Sequence, residues 1–118
     1  MTRTVVLVIE DEPLIGMDLQ ESLQERGFVV IGPCRTEAEA LVALTTFRPH
    51  VAILDVLLTG ARTDRIAAAL ASSGVPFATF TGQTRDVLPD ALRAAPYVAK
   101  PADMEGLAVL LRRLVDEA

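Results

Sequence analysis

Five times along the chain a short apolar run gives way to a stretch with helical periodicity, and this rhythm limits the possible folds more than any other feature. Residues 4–9 are a continuous, mostly β-branched run, the pattern of a strand buried on both faces. Helical spacing follows over 13–26, with Gly27 as a stop signal. Residues 28–31 read as a second strand. Thr36 can cap a helix that runs to about residue 47, with Glu39 three positions on as the other half of a capping box and Pro49 as the stop. A third strand is predicted at 51–54. An alanine-rich helix follows over 63–71 and ends near Gly74. A fourth strand is predicted at 75–80, a helix-like segment containing Pro89 at 86–94, and a short fifth strand at 97–99. Asp103 then caps a last helix to about residue 116, with Leu107, Leu111 and Leu114 on one face.

Strand and helix in strict alternation require parallel pairing with right-handed crossovers. The predicted fold class is α/β: a doubly wound five-stranded parallel sheet, order 2-1-3-4-5, in a flavodoxin-like (βα)5 three-layer sandwich. A length of 118 residues suits one domain spanning 1–118. A mean hydropathy of +0.38 is that of a compact, well-buried chain. No apolar run approaches the roughly 18 residues of a membrane span. The run at 5–9 is too short for a signal peptide and no small-residue cleavage site follows it, so the expectation is a cytoplasmic protein with no membrane contact. A single cysteine, Cys34, has no internal disulfide partner, which agrees with a reducing compartment. A net charge of −5 argues against direct nucleic-acid binding, which needs clustered Lys and Arg.

In doubly wound sheets ligands bind beyond the carboxyl ends of the strands, where the strand order reverses. Glu10, Asp11 and Glu12 follow the first strand and Asp55 follows the third. Thr81 and Gly82 follow the fourth, and Lys100 and Pro101 the fifth. Lys100 is the chain's only lysine, beside ten arginines. Three carboxylates in one crevice repel by roughly 4 kcal/mol per pair at about 4 Å and an effective dielectric near 20. Lys100 offsets part of that, and a hard divalent ion such as Mg²⁺ suits the remainder, because it takes one or two carboxylates together with a phosphate and waters. Thr81 offers a hydroxyl to a phosphoryl oxygen. A carboxylate beside a cation, an ammonium and a hydroxyl can attack phosphorus and hold the product.

With these residues in place the chain resembles the response-regulator receiver domains of two-component systems, over essentially its whole length. The resemblance is carried by Val8-Ile9-Glu10-Asp11-Glu12, Ile53-Leu54-Asp55, Thr81-Gly82 and Tyr97-Val98-Ala99-Lys100-Pro101 in the family's order and spacing. It implies phosphorelay signalling, with Asp55 as phosphoacceptor and Mg²⁺ as cofactor. Asp11 and Asp55 are then metal ligands, with Glu10 acting mainly through water and the backbone carbonyl of Leu57 as a further ligand. Thr81 and Lys100 would contact the phosphoryl group, and Thr81 and Tyr97 would form the switch. The implied partners are a sensor histidine kinase or histidine phosphotransfer protein and a downstream protein. The domain would be a switch that catalyses its own phosphotransfer and dephosphorylation rather than an enzyme with a separate substrate. The chain departs from the common pattern at Leu57-Leu58-Thr59-Gly60, where many relatives carry a Pro-Gly turn, and at Ala102, where relatives often have Phe. Thr81-Gly82, the proline-bearing segment after it and the short length resemble a stand-alone subset. The sequence ends at Ala118 with no output domain after it, the expectation for a stand-alone regulator or a trimmed one.

Other readings compete at single positions. Glu12 is more simply a helix N-terminal charge. Tyr97 at a strand start could be packing alone, and His50 reads as a solvated loop residue. Cys34 reads as a small loop or core filler. Thr79-Phe80-Thr81-Gly82-Gln83-Thr84 looks like a flavin phosphate turn, but it follows the fourth strand, and the first strand ends in acids that would repel a phosphate. A haloacid-dehalogenase-like phosphatase would also use an Asp after an apolar strand; it needs a second acid two residues on, where this chain has Leu57. On the first helix the inward stripe is Gly16, Leu19 and Leu23. Leu14, Ile15 and Met17 cannot all join it, which predicts apolar surface beside the site. Val109 and Leu110 are likewise predicted outside the last helix's inward stripe.

Overall fold

A computed structural model describes residues 3–55, 63–81, 92, 95–99 and 103–118, with the side chains of 81, 97 and 99 outside the description. The expected segment at 86–94 therefore lies outside the described residues apart from Leu92, which is helical and fully buried. Gly82, Lys100, Pro101, Ala102 and the residues 57–60 lie outside them as well.

Five parallel strands form one sheet in the order β2-β1-β3-β4-β5. They are β1 (Val5–Ile9), β2 (Val29–Cys34), β3 (Val51–Asp55), β4 (Phe77–Thr81) and β5 (Tyr97–Ala99). Helices α1 (Pro13–Glu25), α2 (Glu37–Phe47), α3 (Thr63–Ser72) and a C-terminal helix (Met104–Glu117) complete the described elements. Alternating side chains of β1 and β3 serve two separate cores. Leu7, Ile9, Ala52 and Leu54 pack with Ala40, Ala43 and Leu44 of α2 and Ile66, Ala67 and Leu70 of α3. Val6, Val8, Val51 and Ile53 pack with Leu19 and Leu23 of α1 and Leu107, Ala108 and Leu111 of the C-terminal helix. The three-layer sandwich follows, and the continuous apolar run of β1 is explained: both faces are covered.

The helix ends are set by local chemistry. At the end of α1 the Phe28 N–H donates to Leu23 O and the Gly27 N–H to Gln24 O, with Gly27 at φ +93. The Val75 N–H to Leu70 O and Gly74 N–H to Ala71 O bonds repeat that arrangement after α3. Glycine supplies the left-handed residue that lets both helices recover two orphan carbonyls. At α2 the Thr36 hydroxyl accepts from the Glu39 N–H at 3.1 Å, as expected. The Glu39 carboxylate, however, reaches past Thr36 to the Arg35 N–H, 2.9 Å away. The same helix ends on Arg48 in a left-handed C-cap conformation, φ 47, directly before Pro49.

Two strand boundaries differ from expectation by more than one residue. Strand β2 reaches Cys34 rather than residue 31, because a bulge lets it continue: Leu7 pairs with Ile31, but Ile9 pairs with Cys34. Gly32 makes the bulge possible at φ +104, with the Gly32–Pro33 peptide cis. Strand β4 begins at Phe77, because Val75 is spent on closing α3. His50 is not merely solvated: its Nδ1 accepts the Val5 N–H at 2.9 Å while its own N–H donates to Val5 O, so it extends the β1–β3 ladder at its lower end.

Candidate functional site

The bulge in β2 shapes the upper end of the sheet. Cys34 O accepts the Glu10 N–H at 2.9 Å, so the ladder continues one residue past β1 and holds the Glu10 backbone in register. Above it, Gly16 of α1 lies against Pro33. A Cβ at Gly16 would stand 2.7 Å from Pro33 Cγ and 3.9 Å from Glu10 Cγ. Glycine therefore lets the first turn of α1 descend onto the strand ends and cover the Glu10 stem. Glu10 is 1% exposed and Asp55 3%, whereas Asp11 is half-buried.

Glu10, Asp11 and Asp55 each present a carboxylate oxygen within 4.8 Å of the other two. Three carboxylate oxygens gathered this closely are within reach of one divalent ion once the side chains adjust toward it. The donor set is all oxygen and acidic, as a hard cation requires. Asp55 closes β3 and pairs in register with Phe80, which places the Thr81 backbone one step further along β4 beside it. Thr81 pairs in turn with Ala99, the residue before Lys100. Tyr97 pairs with Thr79 further down the sheet. The side chains of Thr81 and Tyr97, with Lys100 and Leu57 entire, lie outside the described residues.

The outer wall of the site carries two features. On α1, Leu14 is 81% and Met17 58% exposed, while Ile15 packs against the core beside Leu19 and Leu23. The expected apolar surface is therefore Leu14 and Met17 without Ile15. On the last helix Val109 is exposed and Leu110 half-buried. The second feature escaped the sequence reading. Asp11, Arg35, Thr36 and Glu39 line one open pocket of about 420 Å³ beside the acidic cluster. Arg35 directly follows β2, but the predicted end of that strand at 31 kept the rule about strand ends from reaching it.

Cys34 is buried at the β2 end, and burial together with the nearby Glu39 carboxylate pushes its thiol from 9.0 up to about 11. It is a core residue and not a nucleophile.

A flavodoxin-like α/β sandwich thus gathers three acids where its strand order reverses, the place at which such sheets bind their ligands. Known proteins resolve it further. PhyR, the phyllosphere-induced regulator of Methylorubrum extorquens, is 45% identical over 56 residues, 47% of this chain and 21% of that protein. The transcriptional regulatory protein PdtaR of Mycobacterium tuberculosis is 34% identical over 108 residues, 86% of this chain and 52% of that protein. Among solved structures, the signal receiver domain of a modulated diguanylate cyclase from Desulfovibrio desulfuricans superposes with a TM-score of 0.88 at 28% identity, covering 98% of this chain and 96% of that one. No family profile matches the chain. The chain belongs to the response-regulator receiver family. It spans about half the length of the curated relatives that it matches over most of its own length. Among the described residues no helix is long and apolar enough to cross a membrane.

Proposed function

We propose that this domain accepts a phosphoryl group on Asp55 from a histidine kinase or phosphotransfer protein and relays the change to a downstream protein. The observation that carries the proposal is the gathering of the Glu10, Asp11 and Asp55 carboxylates within 4.8 Å at the upper ends of β1 and β3. An Asp55 oxygen attacks phosphorus, the bond from phosphorus to the donor's nitrogen or oxygen breaks, and the leaving group departs with that electron pair. The product is an acyl phosphate on Asp55. Asp11 and Asp55, with the Leu57 carbonyl, would hold Mg²⁺ directly and Glu10 through water. Bound there, the ion supplies positive charge to the phosphoryl oxygens. Burial of Asp55 holds the nucleophile in one geometry and limits the water that could reach the product.

The role of Thr81 is to donate its hydroxyl to a phosphoryl oxygen, and that of Lys100 to pair with the same group. Tyr97, one strand over, would follow Thr81 as the switch. In this reading the domain is a switch rather than an enzyme with a separate substrate, it works in the cytoplasm, and its partners are proteins rather than nucleic acid. The exposed Leu14 and Met17 beside the site suit the apolar surface of a phosphodonor protein.

The test is intact mass after treatment with acetyl phosphate and Mg²⁺. The wild type should gain one phosphoryl group, and Asp55→Asn should gain none. Omitting the metal should abolish the gain. Equal gain in the wild type and the Asp55 variant refutes the acceptor assignment.

A further inference from the structure

The pocket lined by Asp11 and Arg35 opens beside the acidic cluster and shares Asp11 with it. Its walls are held firmly. The Cys34 carbonyl is tied to the Glu10 N–H and the Arg35 N–H to the Glu39 carboxylate, each at 2.9 Å. The Thr36 hydroxyl is occupied as the cap of α2. These bonds use the backbone on both sides of Arg35 and leave its guanidinium outside them. Among the described residues Arg35 makes no ion pair, unlike Arg26, which pairs with Glu105 at 2.7 Å, and Arg65, which pairs with Glu37 at 3.3 Å. Among the described residues it is also the cation that lines this pocket. An exposed guanidinium is thus fixed at its root on the rim of a site whose nearest side chains are acids.

We infer that Arg35 is a specificity-determining residue that draws anionic phosphodonors to the site. The acids that a phosphoacceptor needs would repel a donor carrying two negative charges, and that repulsion is strongest on the approach. A cation on the rim offsets it there without entering the reaction. Rim charges act on encounter rates and salt dependence more than on the bound state. Arg35 therefore favours donors of higher negative charge and does not contribute to the chemistry at Asp55. The inference rests on the phosphoacceptor reading.

The experiment compares the rate of Asp55 phosphorylation by acetyl phosphate, a dianion near pH 8, with that by phosphoramidate, which carries about one negative charge less. The wild type, Arg35→Lys, Arg35→Ala and Arg35→Glu are measured with saturating Mg²⁺ at low and at high salt. At low salt Arg35→Glu should slow the acetyl phosphate reaction roughly five- to tenfold and the phosphoramidate reaction about half as much on a logarithmic scale, with Arg35→Ala between. Arg35→Lys should stay close to the wild type. At about 0.5 M salt the differences should largely vanish. Equal slowing with both donors at all salt concentrations, or loss in Arg35→Lys as well, would mean a structural role and overturn the inference. Unchanged rates in every variant overturn it too, while leaving Asp55 as acceptor. A wild type that neither donor phosphorylates overturns both readings at once.

Discussion

Replacing Asp55 with asparagine should stabilise the metal-free protein. Asp55 and Glu10 are almost fully buried, and their oxygens lie within 4.8 Å of each other and of Asp11. At that separation and an effective dielectric near 20, two carboxylates repel by about 3.5 kcal/mol. Asp11 is half-buried, so water screens its share to about 1 kcal/mol. The gross relief is then about 4.5 kcal/mol, and neighbours that already compensate the charge reduce the net gain to about 1–3 kcal/mol. Asparagine keeps the shape and offers an amide donor to Glu10, so no cavity offsets the gain. For a chain of this length each kcal/mol raises the melting temperature by about 4 °C, which predicts a rise of about 4–12 °C in EDTA. Adding Mg²⁺ should reverse the order of effects: the wild type gains by mass action and the variant, with one carboxylate fewer, gains less. Thermal melts by circular dichroism at pH 7.5, with EDTA and with 10 mM Mg²⁺ as the assay conditions, decide it. An Asp55→Asn protein that melts at or below the wild type in EDTA would refute the argument that the acids are held together against their own repulsion.

Charged substitutions at Leu14 or Met17 should slow phosphotransfer from a cognate kinase about tenfold or more while sparing phosphorylation by acetyl phosphate; if both reactions slow together, these residues support the fold instead. Cys34 should resist alkylation in the native state. With its thiol pushed from 9.0 up to about 11, the thiolate fraction at pH 8 falls about a hundredfold, and rapid labelling by iodoacetamide should appear only on unfolding or as the pH climbs toward 11. At Gly32 a Cβ would meet Val8 O at 2.5 Å and Cys34 N at 2.7 Å, both backbone, whereas at Gly74 it would meet nothing within 4 Å. Both glycines have positive φ, so Gly74→Ala should cost only the conformational strain, about 1–2 kcal/mol, and Gly32→Ala about 3 kcal/mol or more in urea denaturation.

Much of the architecture was legible in the sequence because it depends on local patterns. The unbroken apolar runs of β1 and β3 announced strands covered on both faces, and both are buried almost throughout. Gly27 and Gly74 marked helix ends because no other residue adopts their φ cheaply. Thr36 and Asp103 were visible as caps, since a cap needs one side-chain oxygen and a nearby N–H. Strand order followed from the alternation, and the order in turn pointed to Glu10, Asp11 and Asp55.

What the sequence could not specify depends on contacts between distant segments. The bulge at Gly32 extends β2 by three residues beyond the predicted end at 31, since its register is decided by Val8 and Cys34 on either side of it. That extension brings Pro33 under Gly16 and sets Arg35 beside Asp11, a juxtaposition with no local signature. Leu14, Ile15 and Met17 could not all face inward, and only the tertiary packing decides that Ile15 is the one that lies, partly buried, against the core. His50 read as a loop residue because its partner, Val5, lies 45 positions away. Nor does the sequence show which groups Arg26 and Arg112 meet. In the fold Arg26 pairs with Glu105, and Arg112 donates to Arg26 O while its guanidinium lies 4.4 Å above the Phe28 ring. Local propensity and periodicity determine which elements form and in what order they stack; close packing between elements decides where each strand stops and which side chains meet at its end.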